Sequence, residues 1–174
     1  MKYVKDAHRE SGKRRCLFCR LARPGDDAAR WILQRRRHAF LVLNAFPYNS
    51  GHVLVAVRRH AGSLGALTAA ERKDLLDLAS SAEAALIAAY GPDGMNLGVN
   101  LGRAAGAGVD GHLHLHLVPR WSGDTNFMTT VGESKVLPED LADSYERLRG
   151  ALAGRGRRPR SPRTGRVTRV AARS

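Results

Sequence analysis

The segment GHLHLHLVPR places His112, His114 and His116 in alternation with Leu113, Leu115 and Leu117. Successive side chains of an extended strand point to opposite faces, so this run sends every imidazole one way and every leucine the other. One face belongs to a core and the other is left for chemistry. A neutral imidazole can attack phosphorus with one ring nitrogen while the other keeps its proton and donates to a fixed acceptor, which sets tautomer and orientation. The middle histidine has an imidazole on each side. Along a strand His112 and His116 stand roughly 7 Å apart, near enough to orient a phosphate bound at His114 or to donate to its oxygens. A metal-binding strand or chance polar decoration accounts better for a lone histidine. Three in strict alternation point instead to a reaction centre, with His114 as the nucleophile and His112 and His116 as its catalytic neighbours.

Other polar residues sit where they can serve such a centre. Asn44, in NAFPYNSGH, carries an amide able to donate to and accept from sugar hydroxyls, and it is equally suited to forming the turn. Asn100 falls on the polar face of an alternating segment together with Asn96, beside the histidines if the two strands pair. The following loop, Gly106 to Gly111, spells GxGxxG, but it opens a strand where a dinucleotide fingerprint opens a helix, which excludes a dinucleotide-redox fold. Loop geometry explains its glycines, and the backbone N–H groups of Gly106 and Gly108 can in addition turn toward phosphate oxygens. Arg58, Arg59 and Arg120 have the charge to neutralise a polyphosphate, yet arginines at strand ends are usually solvated, and they stay outside the expected site. Cys16 and Cys19 are the only cysteines. In a reducing cytoplasm a structural disulfide between them is disfavoured, and their two-residue gap points to a metal or redox role. Two thiolates are half of a structural zinc site.

The elements that must position these residues are legible from pattern. WIL and FLVL, between Arg30 and Asn44, read as a hairpin, and His52 to Val57 as a further strand with Val53, Val55 and Val57 on one side. Thr68 followed by Glu71 is a capping box, after which Leu75, Leu78, Ala82, Leu86 and Tyr90 recur at helical steps up to Gly91. Met95 to Leu101 alternates as a strand leading into the glycine-rich loop and the histidine strand. A second helix is expected from near Pro138 to about Leu152, with Leu141, Tyr145, Leu148 and Leu152 on one face.

A chain of 174 residues supports one core, and hence one site is expected. Lys and Arg total 29 against 16 Asp and Glu, a net +13 that points to anionic partners. Eight of those charges are arginines after Gly154, in a stretch rich in Gly, Pro, Ser and Thr that cannot bury enough apolar surface to order itself. The expected organisation is a flexible arm at 1–15, a domain at 16–153 and a disordered Arg-rich tail at 154–174. That tail can contact nucleic acid non-specifically, though it lacks aromatic residues to stack bases. No apolar run approaches membrane-spanning length, so the expectation is a soluble, cytoplasmic protein without membrane contact.

The stretch His112 to Val118 matches His-φ-His-φ-His-φ-φ, φ being apolar, and thereby resembles the histidine-triad (HIT) family. The likeness runs from Cys16 through NAFPYNSGHVLV to roughly Pro138, about two-thirds of the chain. It implies an α+β fold with an antiparallel β-sheet and two main helices, pairing into a homodimer, and a covalent nucleotidyl intermediate on His114. It also implies a ribose contact from Asn44, a phosphate contact from Asn100, and a structural zinc held by Cys16, Cys19, His60 and His112. PRWSGDTNFM and KVLPE are similar to the diadenosine tetraphosphate phosphorylases of the actinobacterial branch, whose nucleotide substrate is cleaved with inorganic phosphate as acceptor. One departure stands out: many members carry Gln or Ser shortly before the triad, where this chain has Ala107 and Gly108. Backbone donors are then left to hold the phosphate, and water as acceptor remains open. That choice would give a hydrolase of dinucleoside polyphosphates or nucleoside phosphoramidates. A nucleotide-sensing or nucleic-acid-associated binding protein is the reading from outside enzymology.

Overall fold

A computed structural model of the chain describes residues 16–124 and 139–154. The arm at 1–15, the segment carrying TNFM and KVLP, and the tail beyond Gly154 lie outside the described residues. Among the described residues five strands form one antiparallel sheet: β1 (Ile32–Arg35), β2 (Ala39–Leu43), β3 (Val53–Val57), β4 (Gly94–Gly98) and β5 (His114–Arg120), in the order β1-β2-β3-β5-β4. The expected hairpin is β1 and β2, and the His52–Val57 segment forms β3, one residue shorter. Among the described residues three α-helices accompany the sheet: α1 (Leu17–Leu21), α2 (Ala69–Tyr90) and α3 (Leu141–Leu152).

Strand alternation divides the sheet into two apolar faces. Leu41, Leu43, Val53, Val55, Val57 and Leu117 meet Leu75, Leu78, Ala82 and Leu86 of α2 and Tyr145 and Leu148 of α3 in the main core. Phe40, Val42, Leu54 and Ala56, on the opposite face, pack with Cys16, Phe18 and Ala22 from the α1 region. Because β2 and β3 are covered on both sides, they read as nearly continuous apolar runs.

The long helix begins where its capping box requires. Glu71 N–H donates to Thr68 Oγ1 at 3.2 Å and Thr68 N–H to Glu71 Oε2 at 2.8 Å, while Gly91, at φ 54°, ends the helix in the left-handed region. Helix α3 starts at Leu141 and not near Pro138, because Asp140 supplies the cap: its carboxylate accepts from Asp143 N–H at 2.8 Å. Two strand boundaries also differ from expectation. Strand β4 ends at Gly98, and Leu97 and Leu101 are 50% and 49% exposed, because β4 lies at the edge of the sheet with no described neighbour beyond it. The histidine strand enters the ladder only at His114, since Leu113 N–H donates instead to Ala61 O at 2.6 Å. Among the described residues no helix is long and apolar enough to cross a membrane.

Candidate functional site

Strand β5 pairs with β3 through Ala56↔His114 and Leu54↔His116, which puts His114 and His116 on the face away from α2 and α3. Leu113 and Leu117 are buried in the main core, as the alternation requires. His114 is buried, and Phe18 of α1 lies over it with ring centroids 4.6 Å apart. Its Nδ1 is 2.8 Å from the backbone oxygen of His112. A carbonyl only accepts, so the proton resides on Nδ1 and the lone pair on Nε2. Burial pushes the His114 pKa below the usual histidine range, against the opposing hydrogen bond to His112 O, so the imidazole is neutral at pH 7. A neutral, oriented imidazole with a free Nε2 lone pair is a nucleophile.

A second chain of hydrogen bonds fixes His116, through a residue the sequence analysis did not single out. His52 precedes β3; its Nδ1 accepts from Tyr48 N–H at 3.0 Å and lies 3.3 Å from Asn44 Nδ2. With Nδ1 accepting, the His52 proton resides on Nε2, 3.0 Å from His116 Nδ1. His116 therefore receives at Nδ1 and carries its own proton on Nε2, an atom that is buried and has no partner among the described residues. Burial and the neighbouring His114 push the His116 pKa down to about 4, so it donates as a neutral imidazole at pH 7. No local signal in the turn NAFPYNSGH marked His52, because the partner that gives it its role, His116, is distant in sequence.

Gly51 makes that reversal possible. It sits at φ +77°, and a Cβ there would fall 2.7 Å from Tyr90 Cε2. Gly51→Ala is expected to destabilise the fold by about 1–3 kcal/mol from the backbone conformation alone, with the Tyr90 overlap adding to it. A thermal melt checks this; an unchanged Tm would show that the turn is not under this constraint.

Next to the histidines lies a cluster of potential metal ligands. One ligand atom each from Cys16, Cys19, His60 and His112 fall within 4.8 Å of one another. Cys16 caps α1 and Cys19 lies within it, so the CLFC segment forms a short helix. His112 Nδ1 is 3.3 Å from Cys16 Sγ and 3.5 Å from Cys19 Sγ, and His60 Nδ1 is 3.3 Å from Cys19 Sγ. His112 Nε2–H donates to Val57 O at 2.8 Å, which turns the Nδ1 lone pair toward the sulfurs. Burial pushes the His112 pKa down to about 4, keeping the ring neutral as a ligand. Close backbone approach brings the two halves together: a Cβ on Gly62 would lie 3.2 Å from Gly111 Cα. Bonds of about 2.3 Å to sulfur and about 2.0 Å to nitrogen in a tetrahedron give ligand separations of this size, so the donor set fits zinc.

The remaining expected residues divide. Asn44 Oδ1 accepts from Phe46 N–H at 3.1 Å, so the side chain serves the turn as well as approaching His52. Asn100 lies beyond the end of β4 and lines a cavity of about 280 Å³ beside His116. Gly106, at φ +84°, closes a short 3₁₀ turn with its N–H donated to Arg103 O at 3.0 Å; Gly108 is exposed in the same loop. Arg59 is paired with Glu71 at 2.7 Å, and Arg58 Nη2 donates to Ala22 O at 3.3 Å. Arg120, in contrast, shares the face of His114 and His116 and lines the cavity.

Comparison with known proteins agrees with this geometry. AP-4-A phosphorylase of Mycobacterium tuberculosis is 41% identical over 117 residues, covering 67% of this chain and 60% of that protein. The chain thus spans three-fifths of that relative's length. Adenylylsulfatase HINT3 of Arabidopsis thaliana is 28% identical over 109 residues, 63% of this chain and 54% of that protein. The crystal structure of a Zn-bound histidine triad family protein from Mycobacterium smegmatis matches with a TM-score of 0.65 and 26% identity, covering 82% of this chain and 96% of that one. The HIT domain model matches residues 27–123, more than half of the chain, which therefore belongs to the HIT family.

Proposed function

We propose that this protein is a nucleotidyltransferase that cleaves diadenosine tetraphosphate through a covalent nucleotidyl-His114 intermediate, with inorganic phosphate as acceptor. The observation that carries this reading is the pair of fixed tautomers: an Nε2 lone pair on His114 beside an unpartnered Nε2–H on His116. His114 Nε2 forms a bond to the α-phosphorus as the bond to the bridging oxygen breaks, releasing ATP, while His116 Nε2–H donates to the departing oxygen. A phosphate oxygen then attacks the same phosphorus, the N–P bond breaks, and ADP leaves with His114 restored. Asn44 serves the ribose, and Asn100 with the backbone at Gly108 serves the phosphate; Gly106, whose N–H is donated to Arg103 O, shapes the loop. The similarity to AP-4-A phosphorylase supports the choice of substrate and acceptor.

Cys16, Cys19, His60 and His112 hold a structural zinc, which when bound ties the α1 region to the sheet. His112 thereby has two duties, its ring toward the metal and its backbone oxygen toward His114 Nδ1. The exposed edge of β4, with Leu97 and Leu101, supports pairing of two copies.

A second reading keeps the covalent step and uses water in its second half. Its support is the loop itself: Ala107 and Gly108 offer no side-chain hydrogen bond to a phosphate, and the Gly106 N–H is occupied by Arg103 O. Incubation of the protein with diadenosine tetraphosphate, with and without inorganic phosphate, separates the two. Phosphate-dependent ADP plus ATP is the expected result; AMP plus ATP without phosphate would establish the hydrolase, and absence of products would overturn both.

A further inference from the structure

The face that carries His114 and His116 continues along β5 to Arg120, and between His116 and Arg120 it borders the cavity of about 280 Å³. The cavity is also lined by Asn96, Asn100, Asp124 and the half-exposed ring of Tyr48, which lies parallel to His116. Its polar groups are arranged as donors. His116 Nε2–H is buried and unpartnered among the described residues. Asn96 Oδ1 accepts from Arg120 Nη1 at 2.8 Å, which leaves the NH₂ end of that amide as its donor. Asp124, the one acid of the lining among the described residues, is saturated: Oδ1 accepts from Arg120 Nη2 at 2.7 Å. Its Oδ2 accepts from Arg120 Nε at 2.6 Å, Asn49 Nδ2 at 2.8 Å and Trp121 N–H at 3.2 Å. These bonds commit the Nε–Nη2 edge of the guanidinium to Asp124 and so fix the cationic group four residues past His116, roughly 13 Å along the strand.

A row of donors that begins at the leaving-group oxygen and ends on a fixed guanidinium matches a ligand made of acceptors, and a polyphosphate chain is such a ligand. We propose that this cavity is the leaving-group subsite, in which His116, Asn96 and Arg120 hold the departing polyphosphate and so select dinucleoside polyphosphates over substrates with small leaving groups. The inference rests on the nucleotidyl-transfer reading for its catalytic consequence, while the binding of polyphosphate at Arg120 is measurable without turnover.

Calorimetric titration of the full chain with inorganic tripolyphosphate gives that measurement. Arg120→Gln is expected to weaken tripolyphosphate binding by about tenfold or more. Arg120→Lys, which keeps the charge and loses the fork, should fall between it and the parent. Arg149→Gln, the same charge change on α3, should leave affinity within about twofold. In turnover, Arg120→Gln should raise KM for diadenosine tetraphosphate by about tenfold and leave kcat/KM for adenosine 5′-phosphosulfate within about twofold. Tripolyphosphate affinity that is absent, or equal in parent and Arg120→Gln, overturns the subsite, as does an equal loss on both nucleotide substrates. Failure of the nucleotidyl-transfer reading has a different signature: no turnover of either nucleotide by the parent, with Arg120-dependent tripolyphosphate binding intact.

Discussion

Replacing His114 by alanine is expected to lower the turnover of diadenosine tetraphosphate by roughly 10⁴-fold or more, the scale on which removal of a covalent nucleophile acts. Nucleotide binding should stay within about tenfold of the parent, because the change deletes the reacting atom and little of the surface that holds base, ribose and phosphate. The asymmetry follows from the geometry. His114 is the member of the triad whose bound proton, fixed by His112 O, leaves a lone pair on Nε2 that no hydrogen bond among the described residues claims. His112 has its lone pair toward the cysteines, and His116 has its lone pair toward His52. His116→Ala should cost less than His114→Ala, since it removes a donor to the leaving oxygen and leaves the nucleophile in place. Steady-state kinetics and a binding titration on the two variants check this, and persistent activity in His114→Ala would assign the nucleophile elsewhere.

Zinc removal is expected to have the second largest effect, and on stability first. A site filled at a metal concentration about 1,000 times its Kd contributes about 4 kcal/mol to the folded state. For a chain of this size that is roughly 8–16 °C in Tm. The freshly purified protein should carry one zinc per chain, and chelation or Cys16→Ser should lower Tm by that amount. Activity should fall with it, because His112 carries both the metal ligand and the carbonyl that orients His114, and because Phe18, between Cys16 and Cys19, packs on the His114 ring. Absence of stoichiometric zinc from metal analysis, or an unchanged Tm after chelation, would remove the tetrad from the account.

How much of this was legible beforehand depended on whether the determining interaction is local. The capping box at Thr68 and the alternation of His112 to Leu117 are local, and both are found where the pattern put them. The strand ends were not legible: alternation continues past Gly98 while the ladder stops at Gly98↔His116, and β5 begins at His114 because Leu113 bonds to Ala61, a contact distant in sequence. The start of α3 was placed on Pro138 alone, whereas the cap is Asp140, whose carboxylate accepts from Asp143 N–H and sets the first residue at Leu141. His52 was missed for the same reason as the strand end. Its role exists only because β3 and β5 pair in the register Leu54↔His116, which brings His52 Nε2 to His116 Nδ1. The four side chains proposed as metal ligands were suggested by likeness to a family, since CxxC alone names two ligands; their convergence is a property of the fold.

The covalent intermediate is the claim on which the rest depends, and intact-mass and peptide mapping after rapid mixing with diadenosine tetraphosphate in phosphate-free buffer test it directly. The expected result is a mass increase of one adenylyl group, acid-labile and mapped to His114 within the segment GHLHLHLVPR, which disappears when inorganic phosphate is added and is absent from His114→Ala. Turnover with no adduct on His114 at any time, or an adduct on another residue that forms equally in His114→Ala, would contradict it.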